Sequence, residues 1–218
     1  MKRSRTVHAL GQSEGEDPCV SASPTFSESE KTDIAEALSS VLGFDLKVRA
    51  AFEESLDAPA LLIIALGTIG TAFLAGFLAK MGSNAWDYAK KKIVDATARH
   101  GNDNGTRIRV RFQHNGAKVI CSLRTVDSQI MQKALDELKM VFGEVRDMAA
   151  KDQLPGTEAY IYYKFRDMKW RIDEATVMQP EFDVLKFDYI TGSWVPSDPK
   201  ASKLLREFQR KMKAKQNA

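Results

Sequence analysis

The sequence contains few of the residues from which metal and redox sites are built. Among its 218 residues are only three histidines and two cysteines. Cys19 and Cys121 lie far apart in segments of different character, which indicates free thiols of a reducing compartment and not a disulfide framework. His8, His100 and His114 have no carboxylate or cysteine at the spacing of metal ligands. We therefore predict no metal site and no cofactor.

Sequence motifs of the common enzyme classes are also missing. No P-loop, G-x-G-x-x-G, G-x-S-x-G or H-E-x-x-H pattern occurs. The stretch from Gly67 to Gly70 is rich in glycine, but the pattern predicts that it lies inside a hydrophobic helix. No strand is expected before it, and no lysine stands where a phosphate would bind. The prediction is a protein that is not an enzyme and has no catalytic residues.

The first part of the chain lacks a secretory signal, because its basic start is not followed by an apolar segment. Residues 1–26 hold few large apolar side chains, so we expect a disordered tail. The net charge of +3 is too small to indicate a nucleic-acid partner by itself.

What the sequence does have is one long apolar run. Residues 58–79 contain no charged side chain. As an α-helix this run would be about 33 Å long, enough for a hydrocarbon core of about 30 Å. We interpret it as a transmembrane helix. The alternative is a fully buried helix of a soluble domain, which is also apolar on all sides.

On a helical wheel this run has a bulky half and a half of small residues. Small residues at four-residue spacing let two helices approach closely in lipid, so we expect a homo-oligomer. The predicted helix–helix interface consists of Gly67, Thr68, Thr71, Ala72, Ala75, Gly76 and Ala79.

Residues 80–103 form a basic and aromatic flank with a polar linker. Aromatic rings and lysines at a helix end are typical of the boundary between membrane and water. The predicted membrane-interface residues are Lys80, Trp86, Tyr88, Lys90, Lys91 and Lys92. The surplus of Lys and Arg after the run predicts that its C-terminal side is cytoplasmic. The sequence leaves two forms open: a bacterial inner-membrane protein of this orientation, and a helix that is sheltered in a soluble form and inserts only when triggered.

The rest of the chain predicts an α+β fold. Residues 27–57 read as a helix capped by Ser27 and ended by Gly43, then a strand over 44–50 that joins a later sheet. Residues 104–218 read as an α+β domain, a mostly antiparallel sheet with helices on one face. Asn115 and Gly116 mark its first hairpin. Asp127 or Ser128 can cap the helix that follows, which runs to about Ala150.

Three features of this domain leave alternatives open. Arg107, Arg109 and Arg111 share one side of a predicted strand and could bind phosphate, although a solvated face is favoured. The aromatic side chains of the hairpin over 158–178 could stack on bases, although core packing is favoured. A basic helix over 200–215 could bind a membrane or a partner, or cover the sheet. Nucleic acid is therefore not an expected partner.

The order of these parts resembles the bacterial proteins called effector-associated constant components. The likeness covers residues 30–145, including the runs LLIIALGTIGTAFLAGFLA and IRVRFQHNGAKVICSLRTVDSQIMQKALDELKMVF. It implies a role beside the effectors of conflict and defence systems, and it implies no functional residue. The aromatic hairpin and basic helix after residue 152 depart from the family's pattern.

The leading hypothesis is a membrane-anchored or membrane-inserting protein that is not an enzyme. Its expected partners are the lipid bilayer, further copies of itself and an unidentified protein. The first alternative is a soluble α+β interaction module with a buried hydrophobic helix. The second is a nucleic-acid-binding protein that uses the arginine strand and the C-terminal helix.

Overall fold

The computed structural model describes residues 17–50, 60–100, 105–155, 159–177 and 183–197. Their nine strands form one sheet in the order β2-β1-β3-β4-β5-β6-β7-β8-β9. The strands are β1 (Cys19–Ala22), β2 (Lys47–Ala50), β3 (Ala60–Thr68), β4 (Thr106–His114), β5 (Ala117–Thr125), β6 (Ala159–Arg166), β7 (Lys169–Val177), β8 (Asp183–Asp188) and β9 (Ser193–Pro196). The helices are α1 (Glu28–Leu42), α2 (Thr71–Lys80), α3 (Asn84–His100) and α4 (Ser128–Ala150).

The predicted fold class is confirmed as α+β with a mostly antiparallel sheet. Five neighbouring strand pairs are antiparallel, and the pairs β1–β2, β3–β4 and β5–β6 are parallel. Each parallel pair is joined by a connection that contains helix, as parallel neighbours require. Strands from both halves of the chain belong to the same sheet, so β4 to β9 share it with β1, β2 and β3.

All four helices pack on one face of the sheet. A small cavity there is lined by side chains from every helix, including Leu38, Phe77, Trp86 and Leu135, and by Ile64 of β3. At the centre, the Phe142 ring lies 4.7 Å from the Phe112 ring and 5.1 Å from the Phe77 ring. This helix-covered face holds the main hydrophobic core.

The run over 58–79 is not a single helix, which corrects the central expectation from the sequence. Residues 60–68 form β3, and a separate ten-residue helix, α2, begins at Thr71. In β3 the residues from Ala60 to Gly67 are all buried. The strand lies between β1 and β4 inside the sheet, and a strand buried on both faces is continuously apolar. None of the helices in the described part of the chain has the length and apolar character needed to cross a membrane.

Two glycines explain where the chain changes from strand to helix. Gly67 has a φ of +68°, a left-handed conformation that glycine adopts at low cost. Gly70 is the extended N-cap residue of α2. The register between β3 and β4 also shifts between Ala65 and Thr68. The strand therefore ends with a local break, and the helix starts in a new direction.

Several local predictions are confirmed. Ser27 caps α1 in a reciprocal capping box with Glu30, and Gly43 ends the helix at a φ of +81°. Asp127 caps α4, which runs to Ala150. The hairpin at Asn115 and Gly116 joins β4 to β5.

Other predictions are wrong for the described residues. The expected disordered tail contains β1, which pairs with both β2 and β3. The expected flank and linker contains α3, a helix of 17 residues. The predicted helix over 200–215 and residues 1–16 lie outside the described residues.

Candidate functional site

The face of the sheet opposite the helices is strongly basic between β4 and β6. In β4 the even-numbered residues Ile108, Val110 and Phe112 belong to the core, so the odd-numbered arginines lie on the other face. Strand pairing aligns cations of β5 and β6 beside them: Arg107 is opposite Arg124, and Lys164 is opposite Ser122, the partner of Arg109. We call this surface the arginine–tyrosine face; its residues are Arg107, Arg109, Arg111, Lys118, Arg124, Tyr160, Tyr162, Lys164 and Arg166.

The four adjacent strands β3, β4, β5 and β6 supply charge of one sign to this face. They contain no aspartate or glutamate. Every lysine and arginine of these strands belongs to the arginine–tyrosine face, because their alternate positions are mostly apolar core residues. Acidic side chains enter from β7, where Asp173 pairs with Lys164 and Arg166, and Glu174 is opposite Tyr162.

Two tyrosines lie beside the arginines. Tyr160 and Tyr162 are both half-buried on β6, with ring planes 18° apart and centroids separated by 6.4 Å. Lys118 Nζ donates a hydrogen bond of 3.3 Å to Tyr160 Oη and lies 5.1 Å from the ring centroid. Burial raises the pKa of Tyr162, Glu174 and Tyr160 add to this, and Arg109 and Arg111 oppose it. Tyr162 therefore lies within electrostatic reach of Arg109 and Arg111 and also of the acidic Glu174.

The arginines already have partners within the protein. Arg109, Arg111 and Arg124 each make at least one polar or charged interaction besides their strand pairing. An anion that binds here would exchange places with such a partner. Farther along the sheet, Lys47 and Arg49 of β2 pair with Asp17 at 3.1 and 3.2 Å.

Sequence reasoning found only part of this face. It placed Arg107, Arg109 and Arg111 together, and the structure confirms that they share a face. It favoured core packing for the hairpin aromatics, which is correct for Phe165 and Trp170 but wrong for the two tyrosines. The period-two pattern of each strand is visible in the sequence. The pairing of β5 with β6 is not, because these strands lie on either side of α4 in the chain.

The seven predicted helix–helix residues do not form one helical face. Gly67 and Thr68 belong to β3, and Gly67 is buried. The other five, Thr71, Ala72, Ala75, Gly76 and Ala79, are exposed on α2. Leu74 and Phe77 are the residues that α2 buries against the core.

The six predicted membrane-interface residues lie in or just before α3 and differ in environment. Trp86 is 3% exposed and packs edge-on against Phe77, so it is a core residue. Lys90 is 8% exposed and pairs with Asp87 and Asp136. Lys92 pairs with Asp33 of α1 at 2.8 Å. Lys80, Tyr88 and Lys91 are exposed.

Three of the groups that could support catalysis lie close together in the described residues: Tyr163 is opposite Cys121 in the sheet and lies near Glu144. The two histidines have other partners. His114 is buried, with Nδ1 2.8 Å from the Ile69 carbonyl oxygen. His100 is paired with Glu30. Burial raises the pKa of the Cys121 thiol, and it also raises the pKa of Glu144 and of Tyr163. Within the described ranges no group of three or more His, Cys, Asp or Glu side chains could hold a metal ion.

The glycine-rich stretch from Gly67 to Gly70 lies between a strand and a helix, and not inside one continuous helix. A strand does precede Gly67, and the N-terminus of α2 does follow Gly70, contrary to the expectation of a continuous helix. No side chain caps this helix N-terminus. The sequence still offers no lysine or arginine from residue 58 to 79, so the stretch lacks the cation of a P-loop.

Comparison with known proteins supplies no relative: no family model, no curated protein and no solved structure matches this chain. The resemblance to effector-associated constant components stays a prediction. Function has to be argued from the arginine–tyrosine face itself.

Proposed function

We propose that this protein binds nucleic acid through the arginine–tyrosine face. The observation that carries the proposal is the segregation of charge: four adjacent strands contain no acid, and all their cations share one face. A phosphate backbone is the biological polyanion that such a surface attracts most strongly. Arginine suits this role because its planar guanidinium makes paired hydrogen bonds to phosphate.

The sequence left two interpretations of the arginine strand open, a phosphate-binding surface and a solvated face. The order of the strands supports the first. Three arginines on an isolated strand are common on a solvated surface. Here the cations of β5 and β6 lie beside them, and like charges directly opposite each other, such as Arg107 and Arg124, are destabilising. A binding role accounts for that cost.

The proposal is tested by fluorescence anisotropy with a labelled oligonucleotide over a series of salt concentrations. We expect measurable binding at about 50 mM salt that weakens steeply toward about 200 mM, as counterion release requires. The double substitution Arg109→Gln and Arg111→Gln should lower the slope of log K against log[salt] by about 0.7 for each lost contact with a single strand.

A charge-matched control lies on the other side of the molecule. Lys91→Gln in α3 with Lys139→Gln in α4 removes the same charge from exposed positions of the helical layer. This variant should keep the wild-type slope. Equal losses in both variants would show that only net charge matters, and absence of binding at low salt would refute the proposal.

A second candidate function is association through α2. The observation that favours it is the exposure of five small residues on this helix, including Ala72, Ala75 and Gly76. Light scattering of the wild-type protein and of Gly76→Leu, each with and without lipid vesicles, tests both self-association and membrane binding. A monomer in both conditions, with no vesicle-bound fraction, would contradict this candidate.

A further inference from the structure

We infer that the ligand of the arginine–tyrosine face is a single strand with unpaired bases: the arginines of β4 hold its phosphates, and Tyr160 and Tyr162 of β6 stack on its bases. This inference rests on the proposed function and specifies the class of nucleic acid. Two observations carry it, the arrangement of the cations in a row and the position of the two rings.

The cations form a row along β4. Arg107, Arg109 and Arg111 occupy alternate positions of one strand, so their Cα atoms are about 6.6–6.8 Å apart. That spacing is close to the distance between successive phosphates of a nucleic-acid strand. A backbone that runs parallel to β4 can therefore place one phosphate at each arginine.

The rings form a second row, two strands away. Arg111 is opposite Ile120 of β5, and Ile120 is opposite Tyr162 of β6. Neighbouring strands are about 4.8 Å apart, so the rings lie about 9–10 Å to the side of the arginine row. A base attached to a backbone on β4 projects sideways by a similar distance, which brings it over β6.

The chemistry of the rings selects unpaired bases. Every base has a π-face that can stack on tyrosine, and this interaction is largely independent of sequence. In a duplex the faces are occupied by neighbouring base pairs, so stacking on the sheet requires bases that can be splayed out. The hydrogen bond from Lys118 to the Tyr160 hydroxyl orients one ring and adds a cation beside it.

Charge complementarity favours a nucleic acid over a protein partner at this face. Arg109, Ser122 and Lys164 align across three strands, and an acidic peptide would satisfy their charge without using the two rings. Only a ligand with alternating anionic and aromatic groups uses both rows. An anionic membrane surface would likewise engage the cations alone.

The experiment compares three probes at one low salt concentration: a short oligothymidylate, the same strand in a duplex, and heparin as a polyanion without bases. The double substitution Tyr160→Leu and Tyr162→Leu should weaken oligothymidylate binding by roughly fivefold to 100-fold for each base that loses its stacking partner. Heparin affinity should stay unchanged, and the wild-type protein should prefer the single strand to the duplex.

Two further variants control for folding. The double substitution Tyr160→Phe and Tyr162→Phe keeps the rings and should retain at least most of the single-strand affinity. Tyr88→Leu removes a ring that is 54% exposed on α3 and should change no affinity. Circular dichroism shows which variants are folded. If the leucine variant is not, the preference of the wild-type protein for the single strand over the duplex tests the inference.

The outcomes separate this inference from the proposed function. Vesicles containing phosphatidylserine serve as a fourth probe. If no probe binds, or only the vesicles or only heparin bind, the proposed function fails and this inference fails with it. If binding depends on the arginines but is equal for single strand and duplex, and insensitive to the tyrosines, only this inference is overturned.

Discussion

The two faces of the central sheet differ in composition although the same strands form both. Toward the helices, β4 presents Ile108, Val110 and Phe112 to a core that all four helices share. On the other face it presents Arg107, Arg109 and Arg111, followed by Gln113. The difference shows that charge on one side of a strand is compatible with a closely packed core on the other, because successive side chains point in opposite directions.

Strand β3 is the exception, and it explains the error about the membrane helix. Its residues are buried on both faces, with Ile64 toward the helices and Ile63 beside Arg109. The flexible arginine side chain has an apolar stem that can cover such a residue while its charged end reaches water. A strand in that position needs no polar side chain.

The largest effect should come from comparing these two neighbouring isoleucines. Ile64→Ala removes a side chain from the shared core and should cost about 4 kcal/mol of unfolding free energy. Ile63→Ala should cost about 2 kcal/mol, because flexible arginine stems can close the space more easily than packed helices can. Urea denaturation measures both, and equal losses would show that the two faces are packed alike.

The next effect concerns the carboxylate of Glu30 in α1. Partial burial by itself would raise the pKa of Glu30, but hydrogen bonds from the Ser27 backbone, His100 and Arg99 outweigh it and lower the pKa to about 2. Its usual value is 4.5, so the stabilisation is complete above that pH and is lost as the pH falls toward 2. Its size is about 1–3 kcal/mol.

The measurement for Glu30 is thermal or urea unfolding between pH 6 and pH 2.5. The wild-type protein should be more stable than Glu30→Gln at pH 6, and the gap should narrow as the pH falls. Glu36→Gln changes an exposed glutamate of the same helix and serves as the control. A gap that stays constant with pH would contradict the assigned role of Glu30.

A smaller effect separates two glycines of the helical layer. A Cβ at Gly76 would meet no heavy atom of the described residues within 4 Å, so Gly76→Ala should stabilise the protein by about 0.5–1 kcal/mol through helix propensity. Gly43→Ala should destabilise it by about 1 kcal/mol, because Gly43 is left-handed. Melting temperatures should shift in opposite directions, and a lower value for Gly76→Ala would place that position against a partner surface.

The smallest effect on stability belongs to the arginine–tyrosine face. Arg107→Gln should leave the unfolding free energy within about 0.5 kcal/mol of wild type, as is usual for surface substitutions. If it also weakens oligonucleotide binding, binding and stability are assigned to opposite faces of one strand. A large loss of stability would instead make Arg107 a structural residue.

Local sequence signals predicted much of this fold. The capping residues Ser27 and Asp127, the stop at Gly43 and the Asn115–Gly116 hairpin act through contacts between near neighbours, so a short window contains the information. Strand β1 was missed because four small or apolar residues within a polar tail have no local signal. They become a strand only through pairing with β2 and β3, which are distant in sequence.

The sequence by itself determined the alternation of β4 and β5, the boundaries of α1 and α4 and the absence of a recognised catalytic motif. Only the tertiary structure decided what surrounds the apolar run, because a strand buried on both faces and a helix in lipid require the same side chains. It also placed the cations of β4, β5 and β6 on one face of the sheet. That arrangement depends on the order of the strands, which a short stretch of sequence does not contain.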